Sequence, residues 1–185
     1  MLTVRPKDAA TIGLSPAGLH RAAQAGRLER IARGLYRSAD APAADLDWIE
    51  AASRRPEATL CLTTALAYHD LIDTIPATLD VAIPRGQRTP ATTAAITWHH
   101  FDRATFTLGR SEIGIPGTDH KIGVYSAERS IADAFRLRGT IGYETGRDAL
   151  KEWLRRGGKP AHLIELATQL PRARQPLLDT LQVIG

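Results

Sequence analysis

The sequence predicts an α+β protein in which an N-terminal winged helix-turn-helix precedes a mixed α/β domain that ends in a helical tail. Three observations carry that prediction. The charge divides sharply near residue 39, the hydrophobic period shifts from helical to alternating in the middle of the chain, and it returns to helical after residue 126. A length of 185 residues suits one ordinary domain plus a small module. With 43% hydrophobic and 24% charged residues, the chain has the composition of one that folds around a core. No stretch approaches the roughly 18 apolar residues of a membrane helix. The first residues also lack the basic, apolar and small-residue succession of a secretory signal. The expectation is a cytoplasmic protein without a membrane partner.

Of the net charge of +4, residues 1–39 contribute +5: Arg5, Lys7, Arg21, Arg27, Arg30, Arg33 and Arg37 stand against Asp8 and Glu29. Residues 40–185 contribute −1. A small polyanion-binding module joined to a near-neutral domain has this distribution. The small residues and proline of 38–47 read as the linker, so the domains are expected at 1–39 and 45–185.

Within the first module, 6–12 reads as a short helix with proline in its first turn, and Gly13 and Leu14 turn the chain. Ser15 is placed as an N-cap before Pro16, and Gly26 closes a helix of about three turns. On that helix Leu19, Ala22 and Ala23 share one face, whereas Ala17, His20, Arg21 and Gln24 share the other. Extended segments at 28–31 and 35–37 flank Arg33 and Gly34. Helix, turn, capped helix and basic hairpin in this order make a winged helix-turn-helix.

The second region opens with helical segments at 45–54 and 62–71. Strand-like runs follow at 79–83, 95–99 and 122–125. Ser126 can cap a helix over 127–137, and 143–156 is amphipathic and closed by Gly157 and Gly158. Segments 160–170 and 175–184 complete the helical tail.

Five segments resemble the AbiEi-type antitoxins of abortive-infection, type IV toxin–antitoxin systems. They are GLSPAGLHRAAQAGRLERIARGLYR (13–37), LCLTTALAYHDLIDTIP (60–76), VAIPRG (81–86), VYSAERSIADAFRLR (124–138) and DALKEWLRR (148–156), and the resemblance covers nearly the whole chain. It implies a winged-helix transcriptional autorepressor that binds double-stranded operator DNA and neutralises a cognate nucleotidyltransferase-type toxin. It implies neither catalytic residues nor a cofactor. Family members usually carry a further helix before the segment corresponding to 3–12, and this sequence starts without it. Either that helix is lost, and Leu2, Ile12 and Leu14 are covered in another way, or the encoded start lies upstream.

In a winged helix, the capped helix enters the major groove. Ser15 would meet a phosphate, Ala17 and His20 would face the duplex, and Arg21 and Gln24 would reach base edges. Arg27, Arg30, Arg33 and Arg37 suit phosphates along the hairpin. The competing expectation is that some of these arginines pair with Asp8 or Glu29.

A rival from another class is a metal-dependent nuclease. Asp119, His120 and Lys121 give the acidic-x-Lys half of such a site, with Asp80 or Glu112 as the second carboxylate holding magnesium. His99 and His100 sit at a strand end, where neighbouring side chains diverge, and they have no third zinc ligand at a suitable spacing. No metal ligand is therefore assigned. Ser126, Glu128, Arg129 and Asp133 read as a capped, internally paired helix. Cys61 reads as a buried structural thiol, and His69 as a packed, hydrogen-bonded side chain. The basic groups Arg136, Arg138, Lys151, Arg155, Arg156, Lys159, Arg172 and Arg174 alternate with acids, as on a solvated face. A further alternative is a plain transcriptional regulator whose second domain senses a ligand.

Overall fold

A computed structural model describes residues 3–184. Leu2, whose cover was in question, lies outside the described residues. The chain runs β1 (Thr3–Val4), a 3-10 helix (Pro6–Ile12), α1 (Pro16–Gln24), β2 (Leu28–Ala32), β3 (Leu35–Ser38), α2 (Leu46–Arg54), β4 (Thr59–Leu60) and α3 (Leu62–Tyr68). It continues through β5 (Leu79–Pro84), β6 (Ile96–Phe101), β7 (Arg110–Gly114), β8 (Lys121–Tyr125), α4 (Ala127–Arg136), α5 (Arg138–Ile141), α6 (Tyr143–Arg155), α7 (Pro160–Thr168) and α8 (Arg174–Ile184). The fold is mixed α and β, with its helices and sheets where the periods of the sequence put most of them.

Three strands in the order β1-β3-β2 form an antiparallel sheet at the N-terminus. Val4, Ala9, Leu19 and Tyr36 make its core, with Leu14, Ala23 and Leu28 packed against it. Leu14 is thus partly covered from within the module, whereas Ile12 stays 38% exposed. Gly13 ends the 3-10 helix at φ 70° and donates to the carbonyls of Ala9 and Ala10, a conformation a side chain would strain.

The second sheet has the order β6-β5-β4-β8-β7. Its two-residue centre β4 pairs parallel with β8 and antiparallel with β5, and β5 pairs parallel with β6. Because side chains alternate, Leu60, Val81, Ile122 and Val124 share one face. They pack with Ile49 and Ala52 of α2 and with Ala32 and Leu35 of the N-terminal hairpin. Thr59, Cys61, Ala82 and Tyr125 belong to the opposite face, where α3 and α4 lie. Beyond α4, a helical core joins Phe135, Leu150, Trp153, Leu163 and Leu177.

Four elements escape the sequence pattern. β1 and β4 are two residues each, too short for an alternation to show, and α5 is a single turn. β7 reads RSEIG, with exposed Ser111 and Glu112, as expected of an edge strand open to water. The helix expected over 62–71 stops at Tyr68, because Asp70 takes φ 53° and Leu71 turns back to donate to the Leu66 carbonyl.

Candidate nucleic-acid interface

The local sequence builds α1 as expected. The Ser15 Oγ accepts from the Gly18 amide at 3.0 Å, and Pro16 occupies the first turn, where its missing N–H leaves nothing unsatisfied. Leu19 and Ala22 are buried beneath the helix, and Ala23 is half-buried. Ala17, His20, Arg21 and Gln24 are exposed on its outer face, as is Ser15 at its start. Ser15→Ala should lower stability by about 1 kcal/mol, the usual weight of a side-chain N-cap; urea unfolding monitored by circular dichroism checks it.

Beside the helix, β2 and β3 form the hairpin, and Gly34 makes the turn at φ 69°. Arg27, Arg30 and Arg33 are exposed along it. None of the ion pairs among the described residues joins these arginines to Asp8 or Glu29. Seven cationic or polar side chains and one small one therefore face solvent from helix and hairpin together, which is a surface able to meet a polyanion.

Arg37 departs from the expectation. It is only 4% exposed, and its guanidinium donates to the carbonyls of Ala41, at 2.9 Å, and Pro42. The reason is β1: Arg37 sits in the middle strand, opposite both Thr3 and Glu29, on the side turned toward the rest of the chain. It clamps the segment after the hairpin and is not presented to a duplex. Thr3, in register with Arg37, is hydrogen-bonded to the His120 ring. That ring is partly buried, and burial lowers its pKa despite Asp119 beside it.

The nuclease residues are not brought together. Asp80 lies level with Tyr125, at the far end of β8 from Lys121, and two strands away. Its carboxylate is engaged by the His99 Nε2 at 2.8 Å and by the Thr63 hydroxyl. Glu112 pairs with Arg110 at 3.4 Å. His100, pointing away from His99, is hydrogen-bonded to the Gln87 carbonyl at 3.0 Å. Among the described residues no three histidine, cysteine or acidic side chains converge as metal ligands.

Other candidates find structural partners. Ser126 caps α4 through the Arg129 amide at 3.2 Å, and the Arg129 Nε donates to the Asp133 Oδ2 at 2.8 Å. The His69 Nε2 lies 2.7 Å from the Tyr125 carbonyl oxygen. Cys61 is fully buried, and burial pushes its thiol well above the usual range. Glu152 binds both Arg155 and Arg156, whose hydrogen bonds hold its carboxyl at about 2.

Three cations near the hairpin turn had no signal that tied them to it. Arg5 Nη2 donates to the Ser53 carbonyl, Arg54 Nη2 to the Arg33 carbonyl at 3.1 Å, and Arg55 Nη2 to the Arg88 carbonyl. The adjacent pair Arg54-Arg55 at a predicted helix end was visible as a charge cluster. Only the packing of α2 beside β2 shows that it adjoins the turn.

Comparison with solved structures finds the fold of the Rv2827c protein from Mycobacterium tuberculosis, with a TM-score of 0.54 at 14% identity, over 100% of this chain and 90% of that one. No curated protein matches by sequence. Residues 3–39 match the family described as "Transcriptional regulator, AbiEi antitoxin", the span that holds β1, the 3-10 helix, α1 and the hairpin. The N-terminal module is therefore similar to that of the AbiEi-type antitoxin regulators.

Proposed function

We propose that the chain is the antitoxin and autorepressor of a toxin–antitoxin operon, a protein of the cytoplasm. In this reading 1–39 is a winged helix-turn-helix that binds operator DNA, and 45–185 carries neutralisation of a cognate nucleotidyltransferase-type toxin. Ser15, Ala17, His20, Arg21 and Gln24 form the groove-facing surface, and Arg27, Arg30 and Arg33 hold phosphates. The observation that carries the reading is the capped helix α1, which has its apolar side buried and His20, Arg21 and Gln24 free beside a cationic hairpin. An arginine can pair two bonds with guanine and a glutamine two with adenine, so a sequence can be selected as well as held.

The test uses the full chain, because the hairpin and the second sheet share a hydrophobic core. Arg21→Ala with Gln24→Ala should lose roughly 1–3 kcal/mol of discrimination between operator and random duplex. Arg33→Ala should weaken both duplexes equally. In cells that express the neighbouring toxin gene, with the antitoxin on an independent promoter, the Arg21→Ala/Gln24→Ala variant should still rescue growth. A variant that keeps its operator preference, or a wild type that rescues nothing, would contradict the proposal.

A further inference from the structure

Around the hairpin turn lies a concavity of about 380 Å³ lined by Arg5, Gly34, Ser53, Arg54, Arg55 and Pro90, and none of its described lining residues is acidic. Charge counted along the chain assigns the basic excess to residues 1–39, yet two of these three guanidinium groups come from α2 and its end. The carboxylate paired with Arg54, that of Glu50, is 1% exposed and takes up the Thr93 and Ala94 amides at 3.0 and 2.8 Å. It reaches Arg54 only at 3.4 Å. The positive charge of the concavity is thus largely uncompensated.

Its polar groups are also held and unsatisfied. Main-chain carbonyls fix one nitrogen each of Arg5 and Arg54 and two of Arg55, whose Nη1 also donates to the Arg54 carbonyl at 3.2 Å. The Nε groups of Arg54 and Arg55 are buried without a hydrogen-bond partner, and so is the Oγ of Ser53, a residue 9% exposed. Buried donors without acceptors are costly. Guanidinium N–H groups and a hydroxyl around one hollow are the donors that match the oxygens of a phosphate.

We propose that this concavity is a phosphate seat that receives a backbone phosphate of the duplex beside the hairpin turn. The inference rests on the DNA-binding reading above and extends the contact surface from Arg33 onto α2. A phosphate here would be gripped by both regions of the chain at once. Free inorganic phosphate presents the same oxygens, so two arms are needed.

In the first arm, the full chain and an Arg5→Gln/Arg55→Gln variant are titrated with salt on a random-sequence duplex. Loss of one phosphate contact should make the slope of log affinity on log salt shallower by about 0.9. The order of preference among duplexes should stay as in wild type, and Arg55→Lys alone should keep the wild-type slope. Ser53→Ala, which removes an unpartnered hydroxyl, should weaken all duplexes alike without lowering thermal stability. In the second arm, inorganic phosphate is titrated into the protein without DNA by NMR.

A shallower slope for the variant supports the seat as a DNA contact. An unchanged slope, with phosphate binding that the variant loses, supports the seat and overturns its assignment to the duplex. An unchanged slope with no phosphate binding overturns the proposal. Wild type that binds no duplex at all counts against the DNA-binding reading, and the phosphate arm then decides the seat by itself.

Discussion

Asp133→Ala is expected to lower the unfolding free energy by about 3–5 kcal/mol, the scale found when one partner of a buried ion pair is removed. Arg129 and Asp133 are both fully buried and 2.8 Å apart, and Arg136 holds the second carboxylate oxygen, also at 2.8 Å. The Arg129 Nη1 donates to the carbonyls of Thr105 and Leu108 at 2.6 and 2.8 Å, and its Cζ lies 4.4 Å from the centre of the Tyr125 ring. Carbonyl dipoles and a ring face cannot replace a full negative charge, so the guanidinium would remain in the core uncompensated. In a chain of this size each kcal/mol moves the midpoint by about 2–4 °C, giving a fall of roughly 6–20 °C by calorimetry. Replacing both partners by Arg129→Met and Asp133→Leu should cost less than Asp133→Ala alone. A single variant within about 1 kcal/mol of wild type would show that water reaches Arg129 and that the pair is not a buried one.

Leu35→Ala should cost about 2–5 kcal/mol, the range for deleting a leucine from a packed core. Leu35 is 3% exposed and stands next to the hairpin turn, in one cluster with Ile49, Ala52 and Val81. The lost atoms are those that seat the hairpin on the second sheet, so the effect reaches function. Exchange protection of amides in β2 and β3 should fall, and duplex affinity should fall at temperatures where the variant is still folded. Leu28→Ala removes a partly buried residue that packs on the small N-terminal core, and it should loosen the module without freeing the turn from α2. Unchanged hairpin protection in Leu35→Ala would refute this account of how the two regions are coupled.

Long periodic segments of the fold were legible, and short ones were not. The helix over α4 is written in Ser126 and in the spacing of Ile131, Ala134 and Phe135, all buried. β4 contributes two residues to the centre of a sheet, and its position follows only from partners at residues 81–82 and 123–124. The face of α1 was legible because Leu19 and Ala22 fix which side is buried. Arg37 was not, because its burial depends on β1, a strand of two residues across the hairpin. Arg54 was not legible as a neighbour of Arg33, since that contact spans 21 residues. A count of charge along a chain cannot register what folding adds together.

The place of β4 also bears on synthesis at the ribosome. One edge of this central strand waits for β5, and the other for residues 123–124 of β8, which emerge after some sixty further residues have been joined. At about 5–20 residues per second that interval is roughly 3–13 s, during which Leu60 and its neighbours lack the partner that closes the sheet. The N-terminal module, whose strands pair within residues 3–38, can order much earlier. A nascent chain thus emerges with the strands of its N-terminal module able to pair while its central sheet is still open. A message broken before codon 124 yields a product that cannot complete its core, and intracellular proteases should remove it.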